Sequence, residues 1–144
     1  MGRYLHSYLD HHQLLVECML GEIIPEETIK YHEENISQLQ IESNFSYLID
    51  AQKADNKASL ETNKKFIAHF MNSPLRDKIN RIAVICSTPH QVVQSMLFID
   101  GIKGIKKPIK VFNSIGSAIN WLNVDISIEE TQTIINSLQK QAHE

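Results

Sequence analysis

The 144-residue sequence is poor in cysteine and carries no excess of basic charge. Its two cysteines, Cys18 and Cys86, lie in short apolar runs, and their spacing fits neither a disulfide framework nor a zinc motif. Two buried thiols favour a reducing compartment. The formal net charge is -3, whereas nucleic-acid-binding proteins usually carry a strongly basic face. We therefore expect no nucleic-acid partner.

Long apolar runs are also missing. No segment has the apolar length that a signal peptide or a membrane span requires, and there is no internal repeat or low-complexity stretch. The length is that of one ordinary domain, and 42% hydrophobic residues can supply a buried core. We therefore predict a single domain over residues 1–144, cytoplasmic and not membrane-spanning.

The clearest local pattern lies in residues 81–91. Residues 82–86 form an unbroken apolar run, which is typical of a strand buried on both faces of a parallel sheet. Thr88 is predicted to cap the following helix, with Pro89 at the first helical position and Gln91 completing a capping box. The segment therefore predicts a strand, a tight turn and a helix start, and we expect this strand to be the innermost.

Apolar runs and capping signals divide the rest of the chain into alternating elements. The break at residues 10–12 between two N-terminal strands predicts an antiparallel hairpin, and residues 51–59 are expected to form a loop. We predict strands over residues 4–9, 14–20, 45–49, 82–86 and 109–112, and helices starting near residues 25, 60, 89, 114 and 128. This order predicts an α/β fold: a single mixed, mostly parallel sheet of about five strands, with an antiparallel N-terminal hairpin strand and helices packed on it.

Two helices carry expectations about packing. The helix after the innermost strand is expected to turn five apolar side chains towards the sheet: Val92, Val93, Met96, Leu97 and Ile99. The last helix, capped by Ser127 with Glu130, is treated as appended to the core over residues 127–142. Its narrow apolar stripe leaves open whether it packs on its own sheet or on a second copy, and we favour a homodimer.

The order of elements and the run KVFNSIGSAINWLN resemble the STAS-like (SpoIIAA-like) bacterial domains, which are distantly similar to lipid-binding CRAL-TRIO-like domains. The resemblance covers roughly residues 14–123. It is carried by a mid-chain strand ending in an aspartate, by a later alanine-valine-isoleucine strand, and by the final strand and helix: residues 45–50, Ala83, Val84, Ile85, Val111, Phe112, Asn113, Ala118, Trp121 and Leu122. It implies the same fold and a regulatory, non-enzymatic role.

The anti-anti-sigma members of that family carry a phosphorylatable serine or threonine after the strand-terminal aspartate. Here Asp50 is followed by Ala51, Gln52 and Lys53, and the nearest downstream hydroxyl belongs to Ser59. Ser59 occupies a predicted helix N-cap, so we expect it to cap the helix rather than to carry a phosphate.

Other chemical candidates give no catalytic set. Cys86 precedes a helix start, but a cysteine phosphatase would need arginine six residues later, where Val92 stands, so a structural thiol is predicted. The adjacent His11 and His12 are expected in a solvated turn, and no metal or cofactor is predicted. The basic cluster is predicted to be solvated surface or a site of attraction for an anionic lipid or an acidic partner: Lys103, Lys106, Lys107 and Lys110.

Ligands of open α/β sheets bind at the carboxyl ends of the parallel strands, where helix N-termini gather. The candidate binding residues at this edge are Asp50, Ser59, Ser87, Thr88, His90 and Ser114. We predict a non-enzymatic regulatory or protein-interaction module with an unidentified protein partner. The alternative is a binder of a small amphipathic or lipid-like ligand, apolar or anionic, between sheet and helices. An apolar cavity would favour that alternative, and an acidified Cys86 would favour an enzyme.

Overall fold

The strands and helices alternate along the chain after an initial pair of strands. A computed structural model describes residues 2–57, 59–102 and 108–143. A wider helical turn, His32–Ile36, continues the first helix. In chain order the elements are β1 Arg3–Leu9, β2 Leu14–Ile23, α1 Pro25–Tyr31, β3 Phe45–Asn56, α2 Leu60–Met71, β4 Ile79–Ile85, α3 Pro89–Ile102, β5 Ile109–Phe112, α4 Ile115–Leu122 and α5 Ile128–Gln141.

The five strands form one sheet in the order β1-β2-β3-β4-β5. β1 and β2 pair antiparallel, and every later pair is parallel. The predicted mixed α/β sheet with its N-terminal hairpin is therefore confirmed. The central strand is β3, however, so the expectation that residues 82–86 form the innermost strand is wrong. β4 lies between β3 and the edge strand β5, although Ile82, Ala83 and Ile85 are buried as predicted.

Side chains alternate between the two faces of the sheet, as they must in extended strands. One face packs against α4 and α5 through a core that includes Leu48 and Ile85 of the sheet and Ile135 of α5. The other face lies under α1, α2 and α3, and its core includes Leu15 and Phe45. Consecutive residues of one strand therefore pack in the cores on opposite faces of the sheet.

The last helix packs on its own sheet. Ile135 and Leu138 are buried, and α5 contacts β1 and β2. Ser127 Oγ accepts a hydrogen bond from the Glu130 amide at 3.0 Å, as a helix N-cap should. Ile128, which the sequence pattern assigned to the buried stripe, is 56% exposed.

β3 is longer than its apolar run indicates. The predicted loop over residues 51–59 is wrong, because the strand continues through residues 51–56 and pairs with the end of β2, for example Ile23 with Asn56. Ala51 and Ala54 are buried there. Backbone pairing with β2 stabilises this polar segment as a strand, which composition alone does not indicate.

The start of α3 has the predicted capping box. Thr88 Oγ1 accepts from the Gln91 amide at 3.2 Å, and Gln91 Oε1 accepts from the Thr88 amide at 3.1 Å. This reciprocal pair satisfies two amides that the helix itself leaves unbonded.

The predicted inward face of α3 is largely wrong. Four of its five side chains are exposed: Val92, Val93, Met96 and Leu97. The apolar residues of this helix are distributed over all of its faces, so their periodicity could not specify which face packs on the sheet. Ile99 faces the sheet as predicted, together with Phe98, and Ile102 is buried.

Candidate functional site

A cavity of about 120 Å³ lies between the sheet and the helices α2 and α3. Side chains of β2, β3, β4 and β5 form one wall, and the two helices form the other. The lining is predominantly apolar and includes Met19, Ile49, Val84, Phe66, Phe70, Phe98, Ile99 and Ile109. Such a pocket with a few polar groups is typical of a small-molecule site.

Three phenylalanine rings lie in the helical wall of the cavity, which also contains the polar side chains of Asn63, Gln91, Gln94 and Ser95. The ring centroids of Phe66 and Phe98 lie 5.0 Å apart, and Phe70 meets Phe98 edge-on at 5.6 Å. These distances are within the range of favourable aromatic pairs. The contacts join α2 to α3 and place aromatic surface opposite the sheet.

A fully buried carboxylate, Glu17, lines the same cavity. Glu17 lies in the middle of β2, and strand alternation turns it to the face that carries Leu15 and Met19. Its Oε1 accepts a hydrogen bond from the Tyr47 hydroxyl at 2.7 Å, and its Oε2 lies 2.8 Å from His32 Nε2. A buried charge is costly unless it is paired, and here both carboxylate oxygens have partners.

His32 balances the charge of Glu17. Its side chain is 15% exposed and lies in the helical turn that follows α1. Burial alone would lower the pKa of His32, but the Glu17 carboxylate and its hydrogen bond outweigh burial and raise that pKa. The contact with Glu17 therefore favours the charged, imidazolium form of His32. Burial, together with Glu17, raises the pKa of Tyr47, so the phenol stays protonated and donates.

Two further histidines lie around this pair. Burial lowers the pKa of His69, whose ring centroid lies 6.0 Å from that of His32, and the positive charge of His32 lowers it further. Burial also lowers the pKa of His6, whose Nδ1 lies 2.5 Å from the Tyr31 hydroxyl. The cluster thus favours one charged imidazole among neutral neighbours.

Three of the predicted binding residues meet at the end of β3. Ser87 Oγ donates to Gln52 Oε1 at 3.2 Å, and His90 Nε2 lies 3.3 Å from the Asn56 carbonyl oxygen. Thr88 caps α3 beside them. All three side chains are exposed.

Ser59 and Ser114 each lie at the start of a helix. Ser59 Oγ accepts from the Thr62 amide in a capping box, and Ser114 Oγ accepts from the Ser117 amide, both at 3.2 Å. Their described hydrogen bonds are these local ones, which is the capping role expected of Ser59.

Asp50 does not lie at the carboxyl edge. It is buried in the middle of β3 on the face covered by α5, because the strand continues beyond it to Asn56. Its carboxylate accepts hydrogen bonds from Gln52 and Gln139. The predicted strand end at Asp50 is therefore wrong, although the Gln52 side chain links the Asp50 carboxylate to Ser87 Oγ.

The remaining candidates supply no reactive group. Burial raises the pKa of the Cys86 thiol despite its hydrogen bond with Ser95, so the thiol stays protonated at neutral pH. His12 contacts the Asp125 carbonyl oxygen and lies 3.3 Å from a Glu130 carboxylate oxygen. Lys110 Nζ lies 5.6 Å from the centre of the Trp121 ring. Three other lysines of the basic cluster lie outside the described residues: Lys103, Lys106 and Lys107.

Within residues 2–57, 59–102 and 108–143, no three histidine, cysteine or acidic side chains are arranged to hold a metal ion. The helices of the same part of the chain all fall short of the length and apolar character needed to cross a bilayer.

These features define an α/β protein with a SpoIIAA-like fold, as the resemblance to STAS-like domains implied. Among solved structures, the chain is similar to an uncharacterized protein of the DUF3478 family with a SpoIIAA-like fold from Shewanella loihica PV-4. The TM-score is 0.57 at 16% sequence identity, and the match covers 84% of this chain and 93% of that one. No model of a known protein family and no curated protein matches the sequence.

Sequence patterns alone do not indicate Glu17, His32 and Tyr47 as a group. One signal was available, since Glu17 is the only charged residue in the apolar run LLVECML. A carboxylate in a strand of this kind is rarely buried without partners. Its partners lie 15 and 30 residues further along the chain, and only the folded sheet shows which they are.

Proposed function

We propose that this protein is a non-enzymatic STAS-like module that binds a small, largely apolar ligand between its sheet and the helices α2 and α3. The observation that supports this most directly is the apolar cavity, which reaches a buried polar group at Glu17. Pockets of this composition bind small molecules by apolar contact and orient them by a few polar groups. Because of this cavity, we rank ligand binding above protein interaction as the function of this protein.

The size of the cavity limits the ligand. A cavity of roughly 150 Å³ lined by apolar side chains is known to accept benzene. The cavity here, at about 120 Å³, is of comparable size. A single ring or a short branched chain fits this volume, whereas a long acyl chain exceeds it.

A binding role agrees better with the site than catalysis does. Both Glu17 oxygens are engaged by Tyr47 and His32, and the Cys86 thiol is held protonated by burial. The Cys86 thiol is thus not the thiolate that a cysteine nucleophile requires, and each Glu17 oxygen is held by a residue of the fold. Two buried free thiols also agree with the proposed cytoplasmic location.

Toluene is a suitable first probe, because it matches the apolar cavity and carries no polar group. We expect toluene to shift the amide and methyl NMR signals of cavity residues in a saturable way. Val84→Phe should abolish these shifts because the added ring occupies the cavity, whereas Val93→Phe adds the same ring to an exposed position of α3 and should retain them. Unchanged spectra of the wild type at saturating toluene would refute the proposal.

Protein interaction is a second candidate, supported by the exposed apolar side chains of α3, among them Val93 at 55% and Met96 at 52% exposure. Self-association through this face would produce the predicted homodimer. Sedimentation velocity of the wild type and Met96→Glu tests it. A dimer that dissociates on substitution supports the candidate, and a monomeric wild type rejects self-association.

A further inference from the structure

The polar end of the cavity restricts the chemistry of the ligand. Resting on the proposed function, we infer that the ligand is a small neutral aromatic alcohol or phenol whose hydroxyl donates a hydrogen bond to the buried Glu17 carboxylate. The inference follows from the acceptor capacity of Glu17, from the charge balance around it and from the aromatic wall opposite.

Glu17 retains acceptor capacity. A carboxylate offers about four lone-pair sites. The described partners of Glu17 use one site on each oxygen: Tyr47 on Oε1 at 2.7 Å and His32 on Oε2 at 2.8 Å. Glu17 also lines the cavity, so a ligand there can donate to the same carboxylate. A ligand that fits this end of the cavity therefore carries a hydrogen-bond donor.

The charges around the cavity favour a neutral donor. The contact between His32 and Glu17 favours an imidazolium beside the carboxylate, and the groups around this pair favour their neutral forms: the phenols of Tyr47 and Tyr31 and the imidazoles of His6 and His69. A carboxylate ligand would add a second negative charge beside Glu17, and an ammonium would add a second positive charge beside His32. Either ligand would leave a net charge buried at this end of the cavity, whereas a hydroxyl adds none.

The body of the ligand faces aromatic surface. Phe66, Phe70 and Phe98 present ring faces and edges on the helical wall, at centroid separations typical of aromatic clusters. A volume of about 120 Å³ suits one ring with a small substituent. A phenol therefore matches both ends of the cavity.

Four probes with the same ring separate the possibilities: phenol, toluene, benzoate and benzylamine, titrated into the 144-residue protein at pH 7 and followed by NMR. We expect phenol to bind at least about tenfold more tightly than toluene, as a hydrogen bond to a charged acceptor predicts. Benzoate and benzylamine should bind more weakly than toluene.

Two substitutions at the site should affect the preference for phenol over toluene in opposite ways. Glu17→Gln weakens the acceptor, so the preference for phenol over toluene should fall while toluene affinity is kept. Tyr47→Phe removes a competing donor, so the preference should persist or rise. Glu34→Gln, at an exposed carboxylate two residues from His32, is the matched control and should leave all affinities unchanged. If Glu17→Gln does not fold, Tyr47→Phe still carries the test, because loss of its phenol preference would contradict the inference.

The outcomes distinguish this inference from the proposed function. Equal affinity for phenol and toluene overturns the neutral-donor inference and leaves ligand binding in the cavity intact. Tightest binding of benzoate or benzylamine likewise overturns it and assigns an ionic ligand class. If none of the four probes binds, both the inference and the proposed function fail.

Discussion

The Asp50 carboxylate in the middle of β3 accepts a hydrogen bond from Gln139 Nε2 of α5 at 2.9 Å. Its other oxygen accepts from the backbone and side-chain nitrogens of Gln52. Asp50 is buried, so these donors replace water around its charge. Asp50, which the sequence pattern placed at the carboxyl edge of the sheet, therefore connects the last helix to the centre of the sheet.

Removing the Gln139 donor should destabilise the fold. We expect Gln139→Ala to lower the free energy of unfolding by about 1–3 kcal/mol, the usual cost of leaving a buried charged acceptor without its partner. Gln132→Ala, on the exposed side of α5, should change it by less than about 0.5 kcal/mol. Urea denaturation of the three proteins measures both effects. Equal stabilities would show that the Asp50–Gln139 hydrogen bond contributes little.

The three histidines around Glu17 should titrate in an unusual order. We expect His32 to titrate above the ordinary histidine value of 6.5, because Glu17 stabilises its charged form. His6 and His69 should titrate below 6.5, because burial disfavours their charged forms. NMR titration of the imidazole signals measures each pKa. Glu17→Gln should lower the pKa of His32, and a His32 pKa that stays raised in this variant would exclude Glu17 as the cause.

The same pair should make stability depend on pH. The raised pKa of His32 means that its stabilising contribution is fully present below about pH 6.5 and is lost as pH rises through the higher folded-state pKa. The stability difference between wild type and His32→Gln should therefore shrink as pH rises above 6.5. Unfolding by urea at several pH values measures it. A difference that grows with pH would contradict an ion pair between His32 and Glu17.

The orientation of α3 predicts contrasting effects on stability for substitutions at Met96 and Phe98. Met96→Ser, at an exposed side chain, should change stability by less than about 0.5 kcal/mol. Phe98→Ala removes ring contacts with Phe66 and Phe70 and should cost about 2 kcal/mol. Thermal unfolding of both variants is the measurement. A larger loss of stability for Met96→Ser than for Phe98→Ala would instead support the inward orientation first predicted for Met96.

The sequence by itself determined the features that depend on short-range chemistry. Apolar runs indicated all five strands, and hydroxyl residues marked the starts of helices at Ser59, Thr88 and Ser127. For α4 the sequence left Asn113 and Ser114 open as the cap, and the structure has Ser114. These signals are readable because a cap bonds an amide only three residues away, and because a buried strand needs an apolar run. The alternation of strands and helices then limited the fold to a mostly parallel α/β sheet.

Only the tertiary structure decided how the elements meet. Pairing with β2 extended β3 through residues 51–56, and packing on the sheet selected the Phe98 side of α3. The contact of Glu17 with Tyr47 spans 30 residues, and that of Asp50 with Gln139 spans 89. Contacts at such separations follow from strand order, register and the choice of layer, which no local pattern encodes. The candidate site is built from them, so it emerged only in the folded chain.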